Sequence, residues 1–119
     1  SKPVQHANPL GNRRQQYRNE ILPQTTYAIS VIIPFFNESG NIGPLFDRLL
    51  PVLKGLPHNW EIICIDDGSR DDTHARLIAT SQGVPGTRII KLSRNFGKEA
   101  AITAGLDAAR GQHVLIMDG

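Results

Sequence analysis

An α/β fold, an open and mostly parallel sheet with alternating helices, is predicted by three features of the 119-residue sequence. Short β-branched runs alternate with segments whose apolar residues recur at helical spacing. The runs "SVIIP", "EIICID" and "HVLIMD" are apolar without strict alternation, as in strands covered on both faces. Strand and helix alternate through four strands, the order expected where each helix is a right-handed crossover between parallel strands.

Residues 1–26 are polar, lack an apolar period and contain Pro3, Pro9, Gly11 and Pro23, which reads as a basic, flexible leader. Residues 27–119 form the ordered part. It opens with "YAISVIIP", a strand stopped by Pro34, and the loop "FFNESGN" follows. Leu45, Phe46, Leu49, Leu50, Val52 and Leu53 recur at helical spacing, with Pro44 in the first turn and Gly55 near the exit. "WEIICID" is the second strand. Ser69 with Asp72 three residues on resembles a capping box, opening a helix that carries Ala75, Leu77, Ile78 and Ala79 to a stop at Gly83. "TRIIKLS" is a third, shorter strand. "GKEAAITAGLDAAR" is a third helix, ended by Gly111, whose Ala100, Ala101, Ala104, Gly105 and Ala108 allow close approach to a sheet. "HVLIMDG" is the fourth strand.

An apolar fraction of 39% with 20% charged residues suits one soluble globular domain. No stretch approaches the roughly 18 to 20 consecutive apolar residues that span a bilayer, and the N-terminus lacks the apolar core of a signal peptide. Cys64 is the single cysteine, inside an apolar strand and without a Cys or His at ligand spacing, which fits a reduced, cytoplasmic setting. Lys2, Arg13, Arg14 and Arg18 stand against Glu20 in the leader, so the body is close to neutral although the whole chain carries +2. No part of that body collects Lys and Arg with interleaved aromatics, so nucleic acid is not an expected partner. The basic "NRRQQYRNE" could touch an anionic membrane, but its four charges are few for that role and a solvated tail is the simpler reading.

In open parallel sheets ligands bind beyond the carboxyl ends of the strands. Those positions hold Pro34, Phe35, Phe36, Asn37 and Glu38 after the first strand, and Asp66, Asp67, Gly68 and Ser69 after the second. Ser93, Arg94 and Asn95 follow the third, and Asp118 ends the fourth. Neither G-x-G-x-x-G after the first strand nor G-x-x-x-x-G-K-[ST] anywhere is present, which disfavours a dinucleotide fold of the usual kind and a P-loop nucleotidase. A carboxylate ending the second strand can accept from ribose hydroxyls or a base N–H, and one on a later strand can hold a divalent metal against a diphosphate. Either Asp66 or Asp67 alone can equally cap the following turn, and Asp71 with Asp72 read as helix N-terminal charges. Arg94 and Lys98 flank "NFG" before the third helix, where a phosphate could meet both cations and the helix N-terminus. Lys98 reads equally well as a first-turn surface residue. His58 and His74 have no second ligand at metal spacing and are not expected to be catalytic.

Together "SVIIPFFNESGNI", "WEIICIDDGSRDDT", "KLSRNFGKEAAITAGLDAARG" and "HVLIMDG" resemble, from about Ser30 onward, the N-terminal part of a family-two glycosyltransferase. The polyprenyl-phosphate branch is the nearest likeness, similar to dolichyl-phosphate mannose synthases and bactoprenol glucosyltransferases. The resemblance implies the Rossmann-like half of a GT-A fold, a nucleotide-diphosphate sugar donor, Mg2+ or Mn2+, and an isoprenoid phosphate acceptor. It also implies a membrane-anchored full-length enzyme at the cytoplasmic face, in cell-envelope glycan synthesis, that inverts the anomeric centre. Pro34, Phe36, Asn37 and Glu38 would line the nucleoside pocket. Asp67 would accept from the base with Asp66 beside it, Arg94 and Lys98 would lie near the diphosphate, and Asp118 matches the first acid of the family's D-x-D metal motif.

In the family a second acid follows, whereas this chain stops at Gly119. The expectation is therefore a segment that holds much of the donor site but does not transfer sugar alone, and that self-associates as a homo-oligomer unless its sheet is covered. Two other readings remain: a nucleotide-sugar-binding module without catalysis, and a phospho-acceptor receiver domain, which also pairs acids after a strand.

Overall fold

The computed structural model describes residues 26–118. The leader expected over residues 1–26 lies outside them except for Thr26, whose carbonyl accepts from Asn59 Nδ2 at 2.7 Å. Seven elements alternate: β1 (Tyr27–Phe35), α1 (Ser39–Lys54), β2 (Trp60–Asp66), α2 (Thr73–Gln82), β3 (Thr87–Lys91), α3 (Lys98–Ala108) and β4 (Gly111–Ile116). The four strands form one sheet in the order β3-β2-β1-β4, with every pair parallel.

The unbroken apolar runs are buried because both faces of the sheet are covered. Val31, Ile33, Phe35, Ile62 and Cys64 face α1 and α2, meeting Ile42, Leu45, Phe46, Leu49, Leu53 and Leu77. Ile32, Ile63 and Ile65 face the other way, against Ala101 of α3. A Cβ on Gly105 would come within 2.5 Å of Ile32 and 2.8 Å of Ile65, so the small residues of α3 do bring that helix close to the sheet. Each fully buried aliphatic side chain contributes roughly 1.5–3 kcal/mol through removal from water.

Four boundaries differ from the sequence expectation, each for a local reason. Pro34 lies inside β1 rather than stopping it. The Ile32 carbonyl accepts from Met117 N–H, which points the even-numbered peptide groups of β1 toward β4, and that ladder ends at Ile32 and Ile116. The N–H that proline lacks therefore falls past the last pair. Helix α1 starts at Ser39, which places both Pro44 and Pro51 inside it, held by five buried side chains on one face. Helix α2 starts at Thr73, not after Ser69, because the Ser69 N–H and hydroxyl are committed elsewhere while Asp71 accepts the Thr73 N–H at 2.9 Å. Gly111 opens β4 instead of ending α3: a Cβ there would lie 2.6 Å from Ser30 N, so the close approach of β4 to β1 requires glycine.

At the N-terminal end of the strands lies a polar network that apolar periodicity did not reveal. Glu61 is 1% exposed and accepts from Ser30 Oγ at 2.6 Å, Arg88 Nη2 at 2.9 Å and Arg110 N–H at 2.7 Å. Arg88 Nη2 also donates to the Ala108 carbonyl at 2.6 Å, and Gly111 N–H donates to Ser30 Oγ at 2.7 Å. Burial pushes the Glu61 carboxyl up, but hydrogen bonds from Ser30, Arg110 and Arg88, with the Arg88 charge, outweigh it and hold the group below its ordinary value. The network ties β1, β2 and β3 to the α3–β4 connection.

Candidate functional site

Strand order places the site. From β1 the chain steps outward to β2 and β3 with α1 and α2 on one face, then returns across the other face through α3 to set β4 on the far side of β1. The direction of winding thus reverses between β1 and β4, and the crevice beyond their carboxyl ends is where such sheets bind ligands. A cleft of about 450 Å3 opens there, lined by Pro34, Phe35, Phe36, Glu38, Asp67, Asn95, Gly97, Lys98 and Asp118.

The adjacent acids of "DDGS" part company because successive strand residues point to opposite faces. Asp66 turns toward the α1 and α2 side, is 0% exposed and accepts the Ser69 N–H at 2.9 Å. Its other oxygen lies 3.8 Å from His74 Nδ1, and neither atom has a hydrogen-bond partner. Asp67 turns into the cleft wall. One oxygen accepts the Phe96 N–H at 2.8 Å, and the other accepts the Gly97 N–H at 3.0 Å and Asn95 Nδ2 at 3.2 Å. Asp67 therefore neutralises two amides just ahead of α3 and fixes the "NFG" loop, with one of its roughly four acceptor positions left for a ligand. Gly68 makes the loop crossing feasible: it has φ 71°, and a Cβ there would lie 2.2 Å from the Arg94 carbonyl carbon.

The loop after β1 is held by backbone and side-chain groups from the loop after β2 and the start of α2. Asp67 N–H donates to the Phe35 carbonyl at 2.9 Å, Asn37 N–H to Ser69 Oγ at 2.9 Å, and Glu38 N–H to Thr73 Oγ1 at 3.0 Å. Asn37 Oδ1 accepts the Arg70 N–H at 2.8 Å, and the Glu38 carboxylate folds back to accept the Phe36 N–H at 3.1 Å.

Of the residues singled out by sequence, Pro34, Phe36, Glu38, Asp67, Lys98 and Asp118 meet in the cleft, whereas Asn37, Asp66 and Arg94 are not among its lining. Arg94 stacks over the Phe96 ring, 4.5 Å from its centroid. Lys98 Nζ pairs with Asp118 Oδ1 across the cleft, joining the start of α3 to the segment after β4. Asp71 and Asp72 behave as helix-end charges: the Thr73 hydroxyl holds Asp71 below its ordinary value, and hydrogen bonds from Ser39 and Arg76 do the same for Asp72. Sequence reasoning gave no role to Asn95 and Gly97, whose only signal was their place after the third strand.

Among the described residues no group of three His, Cys, Asp or Glu side chains is arranged to hold a metal. Asp118 nonetheless offers an exposed, hard oxygen donor that already attracts a cation, which suits one ligand position of Mg2+ or Mn2+. No helix among the described residues is long and apolar enough to cross a membrane.

The model of Glycosyl transferase family 2 matches residues 30–119. The chain belongs to glycosyl transferase family 2. It is 42% identical over 99 residues to a dodecaprenyl-phosphate galacturonate synthase of Rhizobium johnstonii, a match covering 82% of this chain and 29% of that protein. It is 36% identical over 98 residues to an undecaprenyl-phosphate 4-deoxy-4-formamido-L-arabinose transferase of Pseudomonas fluorescens, covering 81% of this chain and 28% of that protein. The chain thus spans less than a third of the length of these family-2 relatives. Among solved structures, a mannosyltransferase from Pyrobaculum calidifontis in complex with GDP-Man and Mn2+ shares the fold, with TM-score 0.63, 22% identity, and coverage of 92% of this chain and 34% of that one. Glucosyl-3-phosphoglycerate synthase of Mycobacterium tuberculosis, solved with Mn2+, UDP-glucose and phosphoglyceric acid, matches with TM-score 0.60 and 31% identity over 77% of this chain and 33% of that one. The fold is therefore the GT-A type that the sequence resemblance implied. The receiver-domain alternative is overturned by the family and by topology, since receivers carry the strand order 2-1-3-4-5 and here β4, not β3, lies beside β1.

Proposed function

We propose that this chain forms the donor side of an enzyme that transfers a sugar from a nucleotide-diphosphate sugar to an isoprenoid phosphate. The observation that carries the reading is the cleft at the β1–β4 switch point, where a carboxylate-ordered loop, an exposed aromatic and a cation–carboxylate pair converge. The names of the Rhizobium and Pseudomonas relatives support a polyprenyl-phosphate acceptor. The Mycobacterium complex supports a uridine-type donor held with a divalent metal.

In this reading Phe36, Pro34 and Glu38 form the nucleoside wall, and Asp67 orders the Asn95–Gly97 loop while its remaining acceptor position meets a base or ribose donor. Lys98 turns from Asp118 to the donor phosphates and stabilises the charge that grows on the departing diphosphate. Asp118 would hold Mg2+ or Mn2+, which when bound supplies Lewis-acid stabilisation of the same leaving group. Arg94, stacked on Phe96 outside the cleft lining, would be the second cation near the diphosphate. An isoprenoid phosphate is already anionic at neutral pH and needs little general-base help, so a single displacement with inversion is the mechanism proposed.

The parent protein would act at the cytoplasmic face of a membrane, and this chain alone would bind donor without transferring sugar. The test is release of labelled sugar from a panel of nucleotide sugars onto polyprenyl phosphate with Mn2+, comparing the longer parent protein with the 119-residue chain. Transfer by the parent alone is expected. Donor binding without transfer by the parent would instead favour the non-catalytic binding module, and turnover by the short chain would refute its inactivity.

A further inference from the structure

We infer that Asn37 is a positioning residue of the cleft, one that clasps the loop after β1 to the loop after β2 and so sets Phe36 and Glu38 in the cleft wall. The inference rests on the donor-site reading above. Asn37 has φ 49° and, glycine apart, is the one residue with positive φ among those described. Most side chains avoid this left-handed region, and Asn and Asp are the usual exceptions. Both ends of the residue are engaged, its N–H on Ser69 Oγ and its Oδ1 on the Arg70 N–H. Ser69 is anchored in turn by its own N–H on the fully buried Asp66 carboxylate. A run of hydrogen bonds thus leads from the end of β2, through Ser69, to the peptide between Phe36 and Asn37.

Phe36 and Glu38 both line the cleft, while Asn37, Ser69 and Arg70 do not, so Asn37 acts through its neighbours. Its turn folds the Glu38 carboxylate back onto the Phe36 N–H, and the Glu38 N–H is fixed on Thr73 Oγ1. This gives buried Asp66 a purpose the cleft itself does not explain: of the two acids, Asp67 orders the loop before α3 and Asp66 orders the clasp.

The experiment measures UDP and GDP affinity with Mn2+ by calorimetry, together with melting temperature, for the 119-residue chain carrying Asn37→Ala, Asn37→Asp, Asn37→Gly or Ser69→Ala. Asn37→Ala is expected to weaken the nucleotide that binds by roughly tenfold, the order of one lost hydrogen bond with added backbone strain. Asn37→Asp, which keeps the acceptor and tolerates the conformation, should stay within about twofold. Asn37→Gly and Ser69→Ala should fall between. Arg88→Gln, in the network at the far end of the sheet, should lower the melting temperature without changing affinity. Equal affinity for Asn37→Ala and the unchanged chain overturns the inference. So does failure of Asn37→Asp to rescue, or an affinity loss in Arg88→Gln that matches its loss of stability. If the unchanged chain binds neither nucleotide, the donor-site reading itself falls and this role falls with it.

Discussion

Asp67 accepts the Gly97 N–H at 3.0 Å, so a carboxylate at the end of β2 holds the backbone that leads into α3. An internal anion thereby occupies amides that a ligand phosphate would otherwise take, and the other charged side chains of the cleft lining are Glu38 and the Lys98–Asp118 pair.

Removing Asp67 should therefore damage both order and binding. Asp67→Ala leaves the Phe96 and Gly97 N–H groups without their acceptor in a site that is 3% exposed, and should cost about 1.5–3 kcal/mol of stability. Nucleoside diphosphate affinity should drop with it. Asp71→Ala, at the end of α2, should leave affinity unchanged. Urea denaturation and calorimetry on the two variants check this, and an Asp67→Ala chain of unaltered stability would show that the loop holds itself.

Lys98→Gln should separate binding from folding. Its side chain is 55% exposed and its partner Asp118 71% exposed, a pairing whose net worth to stability is small. The melting temperature should hardly move, while affinity for UDP or GDP falls and its dependence on salt flattens. A clear loss of stability with normal affinity would make the pair structural.

The far end of the sheet should respond to acid. Because the folded Glu61 carboxyl is held below its ordinary value of 4.5, its ionisation contributes stability that is fully present above that value and is lost as pH falls through the lower folded value. Denaturation free energies measured from neutral pH down to about pH 3 should decline in the unchanged chain, and the decline below the ordinary glutamate value should be shallower in Glu61→Gln. Near neutral pH, Glu61→Ala should cost about 1–3 kcal/mol, since it leaves the Ser30 hydroxyl and the Arg110 N–H without their acceptor. An identical acid slope in both chains would place the titration elsewhere.

The alternation of elements and the identity of the buried strands were legible because two covered faces demand unbroken apolar runs, as Val31 to Ile33 and Ile62 to Ile65 show. The edge that carries the site was legible for the same reason, since a parallel sheet aligns its strand ends. What escaped was decided by non-local partners. Ser69 looks like a cap until Asn37 claims its hydroxyl, and Gly111 looks like a helix stop until Ser30 lies against it. Asp66 and Asp67 are indistinguishable in a string of letters, yet one residue of strand alternation sends them to opposite sides of the sheet. Glu61 and Arg88, separated by 27 residues, show no pattern until β2 and β3 pair.

The central claim, a nucleoside diphosphate site at the β1–β4 switch point, is tested most directly by a two-dimensional amide NMR titration of the 119-residue chain with UDP and GDP in Mg2+. Shifts concentrated at Phe36, Glu38, Asn95, Gly97, Lys98 and Asp118, with Glu61, Arg88 and Arg110 still, are the predicted result. No saturable shift with either nucleotide, or shifts centred away from these residues, would contradict it.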